Sequence, residues 1–318
     1  MARNAALSSL LSNLLRLLSL PVVVSSLLFS SSALSAETDV KHPLLAKYRS
    51  AVGTSSAALA AVTEKPSRFG LGAWSYTNVN VKSMDEDNAD VQQFSRVTAI
   101  YNFNGTQSVG WLQEFWYKFA TSDSASGSGH EGHGILDDGG FQYVDSKLAM
   151  LPFDWKLGFL FRQYLPIGEK SRFVTGRKGY EQAALTFSKT IGSIELAEYI
   201  YGTYFNQTQD FYYNSSAEIV ANPDYEFDQY FYVGWNLTPY FTLVNWLGSE
   251  HIWKRGVPEK GVSRHNDFYN ETGFCIKPSK QLAISGTVLT DAPVDSQIPF
   301  TPYSSAYTFY RLYLTLSI

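Results

Sequence analysis

Residues 225–238, YEFDQYFYVGWNLT, alternate between two kinds of side chain. Tyr225, Phe227, Phe231, Val233, Trp235 and Leu237 fall on one face. Glu226, Asp228, Tyr230, Tyr232, Asn236 and Thr238 fall on the other. Successive side chains of a strand point to opposite sides, so this is a strand with one apolar and one polar face. It runs for fourteen residues, against about 5–6 for an ordinary soluble strand. A tilted strand that crosses a bilayer needs about 9–11 residues plus its rims.

The same pattern recurs twelve times, near 68–81, 92–104, 108–121, 141–151, 156–168, 180–191, 193–206, 225–238, 240–254, 266–277, 281–293 and 303–318. Short turns (NGTQ, PFDW, IGS, TPY, PSK) alternate with long polar segments at 82–91, 122–140, 169–179, 207–224, 255–265 and 294–302. This strand–turn–strand–loop rhythm is the hairpin repeat of an antiparallel up-and-down β-barrel. Composition agrees. Charged residues are only 17% of the chain, against about 25% in soluble domains. Aromatics reach 15%, with 21 Tyr, 21 Phe and 7 Trp, yet mean hydropathy is near neutral. Few charges, many aromatics and neutral hydropathy are what alternation produces. A net charge of −4 gives no basic excess for nucleic acid. The single cysteine, Cys275, excludes an intrachain disulfide.

The N-terminus has a different character. Arg3 and Arg16 precede an apolar stretch at 17–29, and the small residues Ala33, Ser35 and Ala36 follow. That is the layout of a secretory signal peptide, expected over 1–36. Residues 37–66 are Ala- and Ser-rich, with apolar residues at loosely helical spacing. They predict a short helical or linker segment, either periplasmic or plugging a lumen. The barrel domain is expected over 67–318.

Signal peptide, even strand count, long amphipathic strands and two loop classes together resemble Gram-negative outer-membrane β-barrel (porin-like) proteins, at the level of architecture. The last strand, AYTFYRLYLTLSI, alternates Tyr310, Leu312, Leu314, Leu316 and Ile318 with Arg311, Tyr313, Thr315 and Ser317. It is similar to the C-terminal signal of that class, except that it ends in Ile rather than an aromatic residue. The resemblance implies an all-β transmembrane barrel of about 12 strands in the bacterial cell outer membrane. Short turns and both termini would face the periplasm, and long loops the outside. Implied partners are outer-membrane lipid, the barrel-assembly machinery acting on the final strand, and small solutes.

Charges are costly against lipid, so charged residues opposite the apolar face should line the interior. The predicted pore-lining set is Arg96, Glu114, Lys118, Asp145, Lys147, Arg162, Glu195, Glu226, Asp228, Glu271, Lys277 and Arg311. It is balanced in sign, so no strong ion selectivity is expected. Trp74, Trp111, Trp235, Trp253 and several Tyr and Phe near strand ends suit interfacial girdles. Glu198 breaks the rule by landing on the outward face with Ile194, Leu196 and Ile200, and 241–253 does not alternate cleanly. A bulge would reset the facing. Alternatively, another copy of the chain covers that side.

The stretch SGSGHEGHGILDDGG, residues 126–140, places His130, Glu131, His133, Asp137 and Asp138 together. A zincin needs H-E-x-x-H on a helix. Here the spacing is one residue short, and Gly127, Gly129, Gly132 and Gly134 oppose a helix. A solvated external loop is expected, with a loose Zn²⁺ or Cu²⁺ site on His130, His133 and Asp137 as the rival reading. His251 and His265, with Ser249 and Ser263 nearby, fit no hydrolase motif, so neither an enzyme nor a cofactor is expected. The sequence thus predicts a narrow channel for passive diffusion of small hydrophilic solutes. The alternatives are an occluded structural or oligomeric barrel acting as scaffold or adhesin, and, less favoured, a lipid hydrolase.

Overall fold

The structure, a computed structural model, describes residues 68–81, 91–118, 134–168, 170–213, 219–254, 263–294 and 307–317. The signal-peptide and helical expectations for 1–66, and the placement of His130 and His133, lie outside these residues. The described strands are β1 (Phe69–Asn80), β2 (Val91–Asn102), β3 (Gln107–Lys118), β4 (Gly134–Leu151), β5 (Trp155–Leu165), β6 (Arg177–Ile191), β7 (Ile194–Gln207), β8 (Phe211–Tyr213), β9 (Ile219–Ala221), β10 (Pro223–Thr238), β11 (Phe241–Lys254), β12 (Ser263–Ile276), β13 (Leu282–Pro293) and β14 (Thr308–Ser317).

Twelve of them close into one antiparallel barrel in the order β1-β14-β13-β12-β11-β10-β7-β6-β5-β4-β3-β2. β8 and β9 form a separate small hairpin within the β7–β10 connection, an addition that the sequence rhythm did not announce. Closure is made by β1 against β14, from Gly72 opposite Ser317 to Asn80 opposite Phe309. It leaves no open edge, which is what allows a sheet to sit in hydrocarbon with every ladder N–H and C=O paired.

The five tight connections fall where the turn residues are. Gly192 adopts φ +61° between Ile191 and Ile194, a conformation open to glycine without steric cost. Between β4 and β5, Phe153 and Asp154 take φ 61° and 62°, and the Lys189 ammonium donates to the Phe153 carbonyl.

Alternation sorts the side chains. Phe69, Leu71, Val109, Phe141, Phe161, Leu185, Trp235, Leu243, Phe274, Leu312 and Leu314 are exposed on the outer surface. Trp74, Tyr76, Phe94, Leu112, Tyr164, Tyr180, Tyr201, Phe205 and Leu289 are buried inside. Trp74 therefore packs in the interior and not in a girdle. Its neighbours are Tyr76, Phe94 and Tyr313, with ring centroids 5.2, 5.7 and 5.9 Å away.

Two expectations about β4 change. The strand starts at Gly134, so Asp137 and Asp138 belong to it and not to a solvated loop. At the β3–β4 irregularity between Gln113 and Phe115, both carboxylates are buried. A second irregularity, between Asp145 and Ala149, sets two extra residues of β4 against β5, so the ladder is broken locally while the parity is the same on both sides of it.

Candidate functional site: the barrel interior

Ladder partners share a face, so the register shows which groups meet inside. One wall is built on β14, β1, β2 and β3. Trp74 lies opposite Arg96, and Arg96 opposite Glu114. Tyr76, Phe94, Trp116 and Tyr313 form an aromatic layer beside them. The Arg96 guanidinium donates from Nε to Glu114 Oε1 at 3.0 Å and from Nη2 to Tyr164 Oη at 3.1 Å. Tyr164 in turn donates to Glu114 at 3.2 Å. Arg311 donates to Asn78 Oδ1 at 2.5 Å, lies over the Tyr76 ring at 5.1 Å and pairs with Glu271 at 3.6 Å.

The facing wall, on β10 to β13, is acidic. Asp228 lies opposite Glu250, and Glu250 opposite Asp267. Glu226 joins them, and ligand atoms of Glu226, Asp228 and Glu250 lie within 4.8 Å of one another. All three have further interaction partners, and the Tyr230 hydroxyl donates to Glu250. These positions lie towards the long-loop ends of β10, β11 and β12. Nearer the tight turns, Glu271 accepts from Tyr269, Thr287 and, at 2.5 Å, Tyr313. Glu195 accepts from Asn236 Nδ2 at 2.8 Å, which itself accepts from Thr242 at 2.6 Å.

A packed platform lies at the long-loop end of β4, β6 and β7. Asp138 accepts from Ser171 at 2.7 Å and from the Gly168 amide at 3.1 Å, with Arg177 at 3.9 Å. Arg177 sits over the Tyr180 and Phe205 rings at 5.3 and 5.0 Å. Asn222 ties the neighbouring connection down by donating to the Thr175 and Gln209 carbonyls, both at 2.9 Å. Asp137, the third ligand of the rival metal reading, accepts from the Trp116 indole at 2.8 Å.

The structure brings most of the sequence-chosen charges to this interior. Arg96, Glu114, Arg162, Glu195, Glu226, Asp228, Glu271 and Arg311 occupy inward register positions. Arg162 donates to Gln182 at 3.2 Å. Lys277 follows β12 at the tight-turn end and lines the same space as Glu195. Lys118 pairs with Gln92 in the β2–β3 ladder. Asp145 and Lys147 depart from the scheme. Asp145 shares the outward alternation of Phe141 and Tyr143, opposite Phe159, at the β4 irregularity. It is held there by Gln107 Nε2 at 2.9 Å and the Lys147 amide at 3.0 Å. Lys147 is exposed within the same irregular stretch. Sequence reasoning missed Glu250 and Asp267, which are inward and buried. The missed signal was parity. β11 pairs with β12 without a break from Phe241 to Lys254, so Glu250 shares a face with Thr242 and Trp246.

That register also settles the two outward anomalies in favour of true facing over a bulge. No irregularity interrupts β7 against β10. Glu198 stays on the outer surface, where Gln229 Nε2 donates to it at 2.6 Å. On β11, Asn245 is outward and donates to Asn270 at 3.0 Å and Thr272 at 2.7 Å. His251 Nδ1 shares a 2.7 Å hydrogen bond with Asn266 Oδ1.

A closed antiparallel barrel with an apolar exterior and a charged, aromatic interior has the fold of outer-membrane β-barrel proteins. The COG4313 outer membrane channel from Pseudomonas putida F1 is similar, with a TM-score of 0.55 at 11% sequence identity, over 80% of this chain and 96% of that one. The translocator domain of autotransporter NalP from Neisseria meningitidis gives a TM-score of 0.40 at 7% identity, over 88% and 99% of the two chains. OmpF of Salmonella typhi gives 0.40 at 7%, over 80% and 100%. No protein-family profile matches the chain, and no curated protein does.

Proposed function

We propose that the chain is an outer-membrane channel through which small hydrophilic solutes diffuse, with a preference for cations. The observation that carries this reading is the distribution of charge inside a closed barrel. With Glu250, Asp267 and Asp291 added, Lys156 and Lys254 added, and Asp145 and Lys147 removed, carboxylates exceed cationic groups by one at these inward register positions. Most of them stand on one wall near the long loops. A low-dielectric wall focuses such a field and raises the local concentration of counter-ions. The likeness in fold to a protein described as an outer membrane channel supports the reading. Lipid around the barrel, export by a cleaved signal peptide and insertion by the assembly machinery through β14 belong to the same proposal.

Planar-bilayer recording tests it. Under a KCl gradient the reversal potential should lie on the potassium side. Replacing Asp228 and Glu250 together with Asn and Gln should move it towards zero. A folded, inserted barrel that carries no current would favour the second reading, an occluded structural barrel. The observation favouring that reading is how densely Trp74, Tyr76, Phe94, Leu112 and Tyr164 fill the interior.

The outward polar groups extend the proposal to assembly. A carboxylate facing hydrocarbon is costly, and Gln229 offsets only part of that. Contact between copies through β7, β10 and β11 would take Glu198 and Asn245 out of lipid.

A further inference from the structure

A cavity lies inside the barrel towards the tight-turn end, between β10–β13 on one side and β14 and β1 on the other. It offers about 100 Å³ to the centres of water-sized molecules, several times the roughly 10–15 Å³ that one water needs. Six aromatic side chains line it: Trp74, Tyr230, Tyr232, Trp246, Tyr269 and Tyr313. They are mutually braced. Tyr232 and Trp246 have ring centroids 4.4 Å apart, and Tyr230 and Tyr269 5.4 Å. Gly248 lets the Tyr230 ring lie against the wall, since a Cβ there would come within 2.4 Å of it.

Two carboxylates border this aromatic surface, and they differ. Glu271 is saturated by hydroxyls and neutralised by Arg311 at 3.6 Å. Glu195 is held by Asn236 alone among the described residues, with no described cation against it. Lys277 stands at the tight-turn end of the cavity, and the acidic wall of Glu226, Asp228, Glu250 and Asp267 stands on the side of the long loops.

We infer that this cavity is a binding site for a small organic cation of the alkyl- or aryl-ammonium class. Aromatic faces attract ammonium groups through the ring quadrupole, more strongly where water is excluded. The braced Tyr232–Trp246 pair supplies the faces, Glu195 supplies the counter-charge, and the acidic wall leads a cation inward. Lys277 repels the same ion at the far end and so retains it. The inference deepens the channel reading and rests on its lumen.

Cys275, the chain's only cysteine, lines the same cavity and serves as a native reporter. In detergent-solubilised full chain, its modification is followed with three methanethiosulfonates: a trimethylammonium, a sulfonate and a neutral methyl reagent that corrects for thiol reactivity. The cationic reagent should react about tenfold faster than the anionic one after that correction. Benzyltrimethylammonium should protect the thiol, and maltose should not. Trp246→Leu or Glu195→Gln should weaken that protection about tenfold, with heat-modifiable gel migration confirming a folded barrel. Equal rates for the two charged reagents, no reaction with any reagent, or protection by maltose alone would each overturn the assignment. Because occupancy is measured without a membrane, a barrel that binds the cation but passes no current separates this inference from the channel reading.

Discussion

Arg96 and Glu114 are almost fully buried, with side-chain exposures of 3% and 0%. Each is tolerable there because of the other and because Tyr164 bonds to both. Removing one partner strands a charge. Arg96→Met should therefore lower barrel stability by about 3–5 kcal/mol, whereas Arg96→Met with Glu114→Leu should recover most of the loss. Guanidinium unfolding of the refolded barrel, followed by tryptophan fluorescence, measures both. If the double variant is no better than the single, the pair is not what holds that layer. At this scale the sequence was legible wherever alternation is clean. Arg96, Glu114, Arg162 and Arg311 each stand next to at least one apolar outward residue (Val97, Phe115, Phe161, and Tyr310 with Leu312), so parity alone turned them inward. It failed at Trp74, whose chemistry suits the bilayer interface as well as an aromatic interior stack, and only the identity of its cross-strand partners decides between the two.

The elements were legible because their physics is local. A two-residue side-chain period marks a strand, and Gly, Pro and Asn mark a turn. Five tight turns and twelve barrel strands follow directly. Three features did not follow, and each has a cause. The β8–β9 hairpin has three residues per strand, too few to show a period. The start of β4 is masked in the sequence by glycines and Asp137–Asp138, which read as loop. Their burial depends on Trp116, Ser171 and Arg177, distant in sequence. In β11 both faces are mixed, with Asn245, Ser249 and His251 outward beside Leu243 and Leu247, and Val244, Trp246 and Ile252 inward beside Thr242 and Glu250. A pattern that assumes apolar side chains outward cannot resolve it. The Asp138 platform carries a prediction. Asp138→Ala removes the acceptor for Ser171 and the Gly168 amide and leaves Arg177 without its carboxylate. The segment 168–177 should then exchange amide hydrogens faster, by the equivalent of about 1–3 kcal/mol. Protection across β10 and β11 should not change. Loss of protection throughout the barrel would show that the platform is part of the global fold and not a local latch.

At the scale of the molecule, the barrel is asymmetric around its circumference. The outward face of β14 is apolar, with Tyr310, Leu312, Leu314 and Leu316, while hydrogen-bonded polar groups face outward on β1 and β2 (Ser75, Gln93, Ser95), on β5 and β6 (Gln163, Glu181) and on the side of β7, β10, β11 and β12 (Glu198, Gln229, Asn245, Asn270). If that side meets another copy, Glu198→Lys should break the assembly. Chemical crosslinking in outer-membrane vesicles and the mass of the detergent-extracted complex would report it. An unchanged complex would remove the assembly proposal and leave the Glu198–Gln229 bond as a self-contained solution to burying a carboxylate.

The seam between β1 and β14 has a consequence in time. The Asn78–Arg311 hydrogen bond joins residues 233 positions apart, so the free edge of β1 waits for β14 before the sheet can close. Until β14 is in place every intermediate is an open sheet, and an open edge is both unusable in hydrocarbon and sticky in water. Contacts of such long range form slowly. The order of the chain thus makes the last strand a checkpoint. A product that lacks β14 has no partner for β1 and cannot close the barrel.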